Sequence, residues 1–351
     1  MTLEAGRRCR DAVPGPVETG WRRSIPGGLM VKVAVVTTVA LIAALVPPAA
    51  GSQVYPAKPV RVIVPFPPGG PNDIAGRAVF QKVSASLGQP FVVENRSGGS
   101  GTIGAAVVAK SAPDGYMLLV TSAAHVSNAH LIKKLPYDTL NDFIGLTPLA
   151  VQVGIMVVHP SMPAKSVNEF IALAKARPGE IVYASSSNGT FSHLSMALFN
   201  FMTGTRMVHV PYKGAGPATI AIASGETQVM IANVGALLPQ ITAKRVRPLA
   251  VTSAARVKQL PEIPVLSEAG VPGYELTSWV ASFVPAGTPA AIVGKLNAEI
   301  GKALDGSDVA QNLAALTLEP WYLSPAEFAQ RLKADYEKYG QLIKLTGARA
   351  E

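Results

Sequence analysis

The sequence predicts an α/β protein of two domains, each built around a mainly parallel sheet flanked by helices. After Gln53, short apolar runs rich in β-branched residues alternate with segments of helical periodicity, which is the pattern of βαβ units. The chain has 351 residues, more than one ordinary hydrophobic core holds, and this length favours two domains. No internal repeat or low-complexity tract is evident.

The first group of elements lies between residues 60 and 123. Strands are predicted at 60–66, 91–96 and 115–123, with helices at 72–87 and 102–111. Gly88 follows the first of these helices, as glycine commonly does where a helix ends. Strands separated by helices are expected to pair in parallel.

The second group of elements forms the other predicted domain. Strands are predicted at 153–160, 181–186, 208–212, 227–232 and 246–252. We expect the chain to leave the first domain near 151–156 and to return near 276–284. Domain 1 would then comprise 53–153 and 278–351, domain 2 would comprise 154–277, and the last helices would pack on domain 1.

Three predicted helices carry N-terminal capping signals. Ser166 with Glu169, and Ser324 with Glu327, have the spacing of capping boxes. Thr288 is predicted to cap a helix whose first residue is Pro289, because proline is favoured at that position.

Residues 1–52 are predicted to be a secretory signal peptide, in which 1–29 are an upstream misread start or an extended n-region. The apolar run Val33–Val46 is shorter than the ~20 residues that span a bilayer, so a retained anchor is the weaker alternative. Small residues around Ser52 suit cleavage. The only cysteine, Cys9, lies in this segment, so the exported chain would have no thiol or disulfide. The expected location is the periplasm.

Composition and charge exclude several classes of function. Hydrophobic residues make up 48% of the chain and charged residues 15%, which is typical of a globular protein and not of a disordered one. The formal net charge is +9, but the basic residues are scattered, and no basic stripe with interleaved aromatic residues suggests a nucleic-acid surface. A mild positive field favours small anions.

The stretch "VIVPFPPGGPNDIAGR" predicts a buried strand that passes through a Pro/Gly turn into a helix. In open parallel sheets, ligands bind beyond the carboxyl ends of strands. Gly69 and Gly70 would let the backbone approach a ligand, and the free N–H groups of a helix's first turn attract an anion. The alternative is an ordinary tight turn in which Asn72 or Asp73 caps the helix.

Three further segments have the same layout. "YASSSNGTFSHLSMALF" passes from a strand through a polar loop into an apolar helix, "TSAAH" ends a strand, and "PYKGAGPA" is a Gly/Pro turn. Loops of this kind from two domains are expected to surround one small polar ligand, because such sites commonly lie between domains.

These motifs resemble those of the substrate-binding proteins of tripartite tricarboxylate transporters, the Bug (TctC) family. The resemblance runs from Tyr55 to the last helix and rests on "YPAKPVRVIVPFPPGG", "VVENRSGGSGTIGA", "APDGYMLL", "YASSSNGTFSHL", "VPYKGAGPA" and "PAGTP". It implies a two-domain periplasmic-binding-protein (Venus flytrap) fold with two interdomain crossovers. It also implies a carboxylate held by backbone amides, short hydroxyl side chains and waters.

The residues expected at the ligand are Phe66, Pro67, Gly69, Gly70, Asn72, Asp73, Thr121, Ser122, Ala123, Ser187, Asn188, Gly189, Thr190, Ser192, His193, Tyr212 and Asn233. The chain departs from the family pattern at Ser187, where glycine is frequent, and at Thr190, where serine is usual. Ala232 stands where the family commonly has an aspartate, while Asn233 is kept. These departures leave the carboxylate cradle in place and put the far end of the ligand in question.

Other patterns are weaker. "GSGTIG" matches a dinucleotide fingerprint, but the acidic residue expected about 20 positions later is missing, which favours a packing turn. Ser192 and His193 are adjacent on a helix and point about 100° apart, which argues against a catalytic pair. His125 and His130 lack partners for a metal site.

Three hypotheses follow. The first is a solute receptor that binds a small carboxylate and has no catalytic residues, metal or cofactor. The resemblance implies that it delivers the carboxylate to the small and large membrane subunits of a tripartite tricarboxylate transporter. We expect a monomer. The second is an exported α/β enzyme acting on a small carboxylate, for which no nucleophile oriented by a base is found. The third is a ligand-sensing module that contacts a receptor.

Overall fold

The computed structural model describes residues 15–20 and 55–349. The second range belongs to one compact unit, Val54–Glu351. The predicted apolar run Val33–Val46, Cys9 and the predicted cleavage site near Ser52 lie outside the described residues.

A six-stranded sheet organises what we call lobe 1. Its strands, in spatial order, are β11 (Leu318–Pro320), β4 (Phe143–Gln152), β10 (Ser278–Pro285), β3 (Met117–Ser122), β1 (Val60–Val64) and β2 (Phe91–Asn95). The helices packed around it are α1 (Pro71–Leu87), α2 (Thr102–Ala109), α3 (Ala124–Leu131), α8 (Ala290–Leu304), α9 (Ser307–Ala314) and α10 (Pro325–Thr346).

A five-stranded sheet organises lobe 2. Its order is β7 (Val208–Pro211), β6 (Val182–Ser185), β8 (Val229–Asn233), β5 (Gly154–Val158) and β9 (Arg247–Val251). Its helices are α4 (Val167–Ala176), α5 (Phe191–Thr203), α6 (Ala215–Ser224) and α7 (Val234–Thr242). The chain passes from the first sheet to the second at Val153, between β4 and β5, and returns between β9 and β10.

Both sheets are mixed, which corrects the expectation of mainly parallel sheets. β1 pairs in parallel with β2 and β3, and β6 pairs in parallel with β7 and β8. β10 is antiparallel to both β3 and β4, and β5 is antiparallel to β8 and β9. The cause is the route of the chain, because β4 leads out of lobe 1 and its neighbour β10 brings the chain back in the opposite direction.

The carboxyl ends of β1, β3, β6 and β8 consequently lie toward the other lobe. β4 ends where the chain enters lobe 2, and it runs in the same direction as β3 because both are antiparallel to β10. β5 starts at that same point and runs antiparallel to β8. The loops that follow these four strands therefore meet between the two sheets.

The capping predictions have three different outcomes. Ser324 and Glu327 form a full capping box at α10, as predicted. Ser166 Oγ accepts from Glu169 N at 3.2 Å, but the Glu169 carboxylate accepts from Lys165 N instead of closing the box. Thr288 does not cap α8, because its hydroxyl donates to the Pro285 carbonyl at 2.7 Å and the helix begins one residue later than predicted.

The "GSGTIG" segment packs a helix against a strand. It forms a short 3₁₀ turn, Gly99–Gly101, that leads into α2. A Cβ at Gly104 would lie 2.7 Å from Pro65 Cβ and 2.9 Å from the Arg96 carbonyl, so glycine is needed there for this close approach. In the described ranges, none of the helices combines the length and apolar character needed to cross a membrane.

Candidate functional site

A cavity of about 500 Å³ lies between the two lobes, at the carboxyl ends of β1, β3, β6 and β8. Lobe 1 contributes the loop between β1 and α1, and lobe 2 contributes the loop between β6 and α5 and the starts of α6 and α7. The lining residues are Phe66, Pro67, Pro68, Gly69, Gly70, Pro71, Asn72, Asp73, Ser122, Gln152, Ser186, Thr190, Phe191, Ser192, Gly214, Ala215, Gly216, Thr219, Ile220, Met230, Ala232, Asn233, Gly235, Ala236, Pro239, Gln240 and Leu316.

The N-terminus of α1 forms the lobe 1 wall of this cavity. Gly70 is the N-cap residue and Pro71 follows it, and no side chain caps the helix within the described structure. The N–H groups of Asn72 and Asp73 lie in the first turn, where a helix offers them no internal acceptor. They carry the positive end of the helix dipole, which attracts an anion.

The carboxylate of Asp73 holds the loop that precedes α1. Its Oδ2 accepts from Gly69 N, and its Oδ1 accepts from Arg77 Nε and from Asn95 Nδ2, each at 2.9 Å. Asn95 Nδ2 also donates to the Phe66 carbonyl at 3.1 Å. The negative charge of Asp73 is therefore paired with Arg77 and used to fix the backbone of residues 66–70.

The N-terminus of α5 forms a corresponding wall in lobe 2. Thr190 is the N-cap residue, and the described residues provide no side-chain cap for this helix either. Ser192 Oγ accepts from Ser186 N at 2.9 Å and lies 3.1 Å from Thr190 Oγ1. Thr190 Oγ1 donates to the Ser187 carbonyl at 2.7 Å. This loop is held by neutral hydroxyl groups.

The N-terminus of α6 completes the group. Its N-cap residue is Gly214, with φ of 118°, and no capping side chain occurs in the described chain. A Cβ at Gly214 would lie 3.0 Å from Pro67 Cγ, so glycine allows the two lobes to approach here. Three uncapped helix N-termini, one from lobe 1 and two from lobe 2, thus line one cavity.

His193 lies behind the lobe 2 loop and does not line the cavity. Its Nδ1 accepts from Gly189 N at 3.0 Å, and its ring stacks on His209 with centroids 4.1 Å apart. Burial lowers the pKa of His193 to about 4. Burial and the neighbouring His193 lower the pKa of His209 to about 3. Both rings are therefore neutral near pH 7.

The lobes also touch beside the cavity. Ser127 Oγ of lobe 1 donates to the Gly189 carbonyl of lobe 2 at 2.6 Å. Ser100 Oγ and Ser187 Oγ lie 2.8 Å apart across the same boundary. A Cβ at Gly189 would lie 2.5 Å from Leu131 Cδ1, and the φ of Gly189 is 70°. Ser187 and Gly189 of the predicted site are thus in contact with lobe 1.

Ten of the residues expected at the ligand line the cavity: Phe66, Pro67, Gly69, Gly70, Asn72, Asp73, Ser122, Thr190, Ser192 and Asn233. Seven do not line it: Thr121, Ala123, Ser187, Asn188, Gly189, His193 and Tyr212. Thr121 and Ala123 are buried. Tyr212 is turned to Glu226, to which its hydroxyl donates at 2.7 Å.

The sequence interpretation missed several lining residues. Within "PYKGAGPA", the sequence analysis expects Tyr212 at the ligand, whereas the residues of this segment that line the cavity include Gly214 and Gly216 at the start of α6. Gln152, Thr219, Ile220 and Gln240 carry no sequence signal, because only the packing of the two lobes brings them to the cavity.

Residues 75–348 match the family described as tripartite tricarboxylate transporter family receptor, TctC. The match covers most of the chain and includes both lobes. The chain belongs to this family. The recognition made from the sequence motifs is therefore confirmed.

Solved structures of similar proteins share the fold of this TctC-family chain. One is Rpa4515 of R. palustris with adipate, which is 35% identical with a TM-score of 0.81, over 84% of this chain and 99% of that one. A second is MatC of Rhodopseudomonas palustris with bound malate, 30% identical with a TM-score of 0.78, over 82% and 100% of the two chains. A third is the periplasmic binding protein BugD, 28% identical with a TM-score of 0.79, over 85% and 100%. The α/β binding-protein fold expected from the sequence is confirmed.

His125 and His130 of this TctC-family chain do not line the cavity. His125 is buried among Tyr137, Phe143 and Phe283, and burial lowers its pKa to about 4. His130 Nε2 lies 2.9 Å from the Tyr336 carbonyl. The two imidazoles thus belong to the packing of lobe 1.

Proposed function

We propose that this protein is a periplasmic solute receptor that binds a small carboxylate in the interlobe cavity. It would deliver the acid to the small and large membrane subunits of a tripartite tricarboxylate-type transporter. The observation that carries the proposal is the convergence of three uncapped helix N-termini from two lobes on one cavity. Each presents N–H donors and a positive dipole end to the same small volume.

A second observation on the cavity supports the proposal independently. Asn72 is buried, lines the cavity, and its Oδ1 has no hydrogen-bond partner in the described structure. A buried amide without a partner is costly. The Asn72 carboxamide also carries two N–H donors, which we propose donate to a bound carboxylate.

The bound acids of two similar proteins agree with this chemistry. Rpa4515 was solved with adipate and MatC with malate, and both are small carboxylates. We carry only their shared feature, the carboxylate group, over to this chain.

Binding would couple to closure of the two lobes. Domain 1, residues 53–153 and 278–351, and domain 2, residues 154–277, are proposed as the two halves of the flytrap. Moving such an equilibrium from 1:99 to 99:1 takes about 5.5 kcal/mol of differential affinity. Charge-assisted hydrogen bonds contribute roughly 1.5–3 kcal/mol each, so a few contacts to each lobe would suffice. We propose that the closed monomer is the form that the membrane subunits recognise.

The proposal is tested by calorimetry on protein expressed from the full-length sequence, titrated with monocarboxylates, adipate and malate. Saturable binding with the acid recovered unchanged is the expected result, and the mass of the purified protein would locate the signal-peptide cleavage site. Failure to bind any carboxylate would contradict the proposal. Turnover of the acid would favour the alternative of an exported enzyme.

A further inference from the structure

The part of the cavity wall beyond the helix N-termini is largely apolar. It is built by one face of α6, the strand β8, the start of α7 and the turn after α9. The apolar residues of this part, which we call the tail wall, are Ile220, Met230, Ala232, Ala236 and Leu316. A ligand held by its carboxylate at the helix N-termini would place the rest of its structure against this wall.

The described lining residues include no Lys, Arg or His. Asp73 is their only acidic side chain, and its two oxygens accept from Gly69, Arg77 and Asn95. The cavity therefore offers neither a cation for a second carboxylate nor a free carboxylate for an ammonium group.

The polar groups near the tail wall are neutral. The Thr219 hydroxyl donates to the Ala215 carbonyl of its own helix at 2.8 Å and is used there. Gln152 and Gln240 contribute carboxamides to the lining, and Gln240 Oε1 has no partner in the described chain. Both carboxamides are neutral, so neither can balance the charge of a second carboxylate or of an ammonium group.

These observations give the two ends of the ligand different requirements. One negative charge meets the three helix N-termini, while a second charge against the tail wall would lose its hydration without gaining an oppositely charged partner among the described lining residues. Given the proposed function, we infer that this receptor selects acids with a single carboxylate and a neutral, mainly apolar tail. It would discriminate against dicarboxylates and against ω-amino acids of the same length.

The experiment compares acids that differ only at the far end. Calorimetry would use butyrate with succinate, hexanoate with adipate, octanoate with suberate, and benzoate with terephthalate, together with the ω-amino acid matching hexanoate. In the pair that binds most tightly, the monoacid is expected to bind at least tenfold more tightly than the diacid. Burying an unpaired second charge should cost more than about 1.4 kcal/mol of binding free energy, which corresponds to a tenfold change in affinity. The ω-amino acid is expected to be weaker by a similar factor.

The outcomes separate this inference from the proposed function. A diacid that binds as tightly as its monoacid would overturn the inference while carboxylate binding stands. No binding by any acid would contradict the proposed function and the inference together.

Gln240→Arg provides a gain-of-function test. It adds a cation beside the tail wall, and we expect the ratio of adipate affinity to hexanoate affinity to rise at least tenfold over the wild-type ratio, the size of one added charge-assisted contact. Gln240→Leu is the matched neutral control and should leave adipate weak. If Gln240→Arg binds a carboxylate but keeps the wild-type ratio of adipate affinity to hexanoate affinity, the tail wall is wrongly assigned.

Discussion

The two anion-facing loops of the cavity are held in different ways. In lobe 1, the loop before α1 is fixed by the Asp73 carboxylate, which is paired with Arg77. In lobe 2, the loop before α5 is fixed by the hydroxyls of Thr190 and Ser192 and, from behind, by His193. Both leave the helix N-terminus uncapped.

The difference shows how a negative side chain can sit beside an anion site. Because the Asp73 oxygens accept from Gly69, Arg77 and Asn95, the carboxylate shapes the loop without competing for the N–H groups of α1. The lobe 2 loop reaches a similar result with neutral groups, which have no charge to pair. The lobe 1 loop should therefore depend on one charged side chain, and the lobe 2 loop on several weaker contacts.

The largest effect is expected from Gly70→Asp. Gly70 is the N-cap of α1 with φ of −82°, and a Cβ there would meet only the Pro67 carbonyl, at 3.8 Å. The introduced carboxylate would cap the helix, occupying the N–H groups that the ligand needs and adding like charge. Carboxylate affinity should fall about a hundredfold or more. The free energy of unfolding should stay equal or rise by roughly 0.3 kcal/mol, the difference between glycine and aspartate at an N-cap.

Calorimetry and thermal unfolding measure both quantities for Gly70→Asp. Gly70→Ala is the matched control, because it adds the Cβ without the charge and should bind like the wild type. Unchanged affinity of Gly70→Asp would remove the ligand from the α1 N-terminus.

A smaller effect is expected from Asp73→Asn, which breaks the lobe 1 support. The change weakens the acceptor for Gly69 N and removes the ion-pair partner of Arg77, which keeps only its bond to Asn95 Oδ1, so the loop loosens. The free energy of unfolding should fall by about 1–3 kcal/mol, and carboxylate affinity should fall about tenfold. Arg77→Gln leaves the bonds that Asp73 accepts from Gly69 N and Asn95 Nδ2 in place and should have the weaker effect. Equal effects of the two changes, measured by denaturant titration and calorimetry, would contradict the role given to the Gly69 bond.

Ser192→Ala tests the lobe 2 support and should have less effect. It removes the acceptor for Ser186 N, but Thr190 still bonds the Ser187 carbonyl. Carboxylate affinity should fall about three- to tenfold, the cost of one hydrogen bond near 1 kcal/mol. Ser195→Ala on the same helix is the control, since Ser195 is buried away from the cavity. A folded Ser192→Ala protein that binds like the wild type would exclude this contact.

The smallest effect on binding is expected from His193→Gln, which acts on stability at low pH. Burial lowers the pKa of His193 to about 4 in the folded state, while a histidine in the unfolded state has a pKa near 6.5. Between these two pH values the unfolded state therefore binds more protons than the folded state. The stabilisation is therefore complete above pH 6.5 and is lost as the pH falls toward 4.

Thermal unfolding at pH 7 and pH 5 measures this loss. At pH 5, His193→Gln should recover about 1–2 kcal/mol of the wild-type decrease, since glutamine keeps an acceptor for Gly189 N without titrating. If His193→Gln loses as much stability between pH 7 and pH 5 as the wild type does, the pH response belongs to another group, for example His125.

The strands that alternate with helices could be predicted from the sequence. The apolar β-rich runs located β1, β2, β3 and the strands of lobe 2 to within a few residues. β4 and β10 were not recognised as strands. β10 is buried along its whole length, which removes the alternating pattern, and its pairing with β4 contains two register shifts.

The loops of the candidate site were predictable because their chemistry is local. Pro, Gly and short hydroxyl residues after a strand mark a turn into a helix, and strand carboxyl ends are expected to face ligands. The orientation of individual side chains was not predictable. Asp73 bonds its own loop and Asn95 on a neighbouring strand, and His193 bonds Gly189 behind the cavity.

By itself, the sequence determined the local units of strand, neutral loop and helix, because hydrogen bonding and periodicity over a few residues decide them. Tertiary structure alone decided that three helix N-termini share one cavity, that the described residues lining it include no cationic side chain, and that Gln152 and Gln240 lie beside its apolar wall. These features depend on contacts between residues more than a hundred positions apart. Such contacts are fixed by the pairing of β4 with β10 and by the packing of the two lobes, which no short segment of the chain encodes.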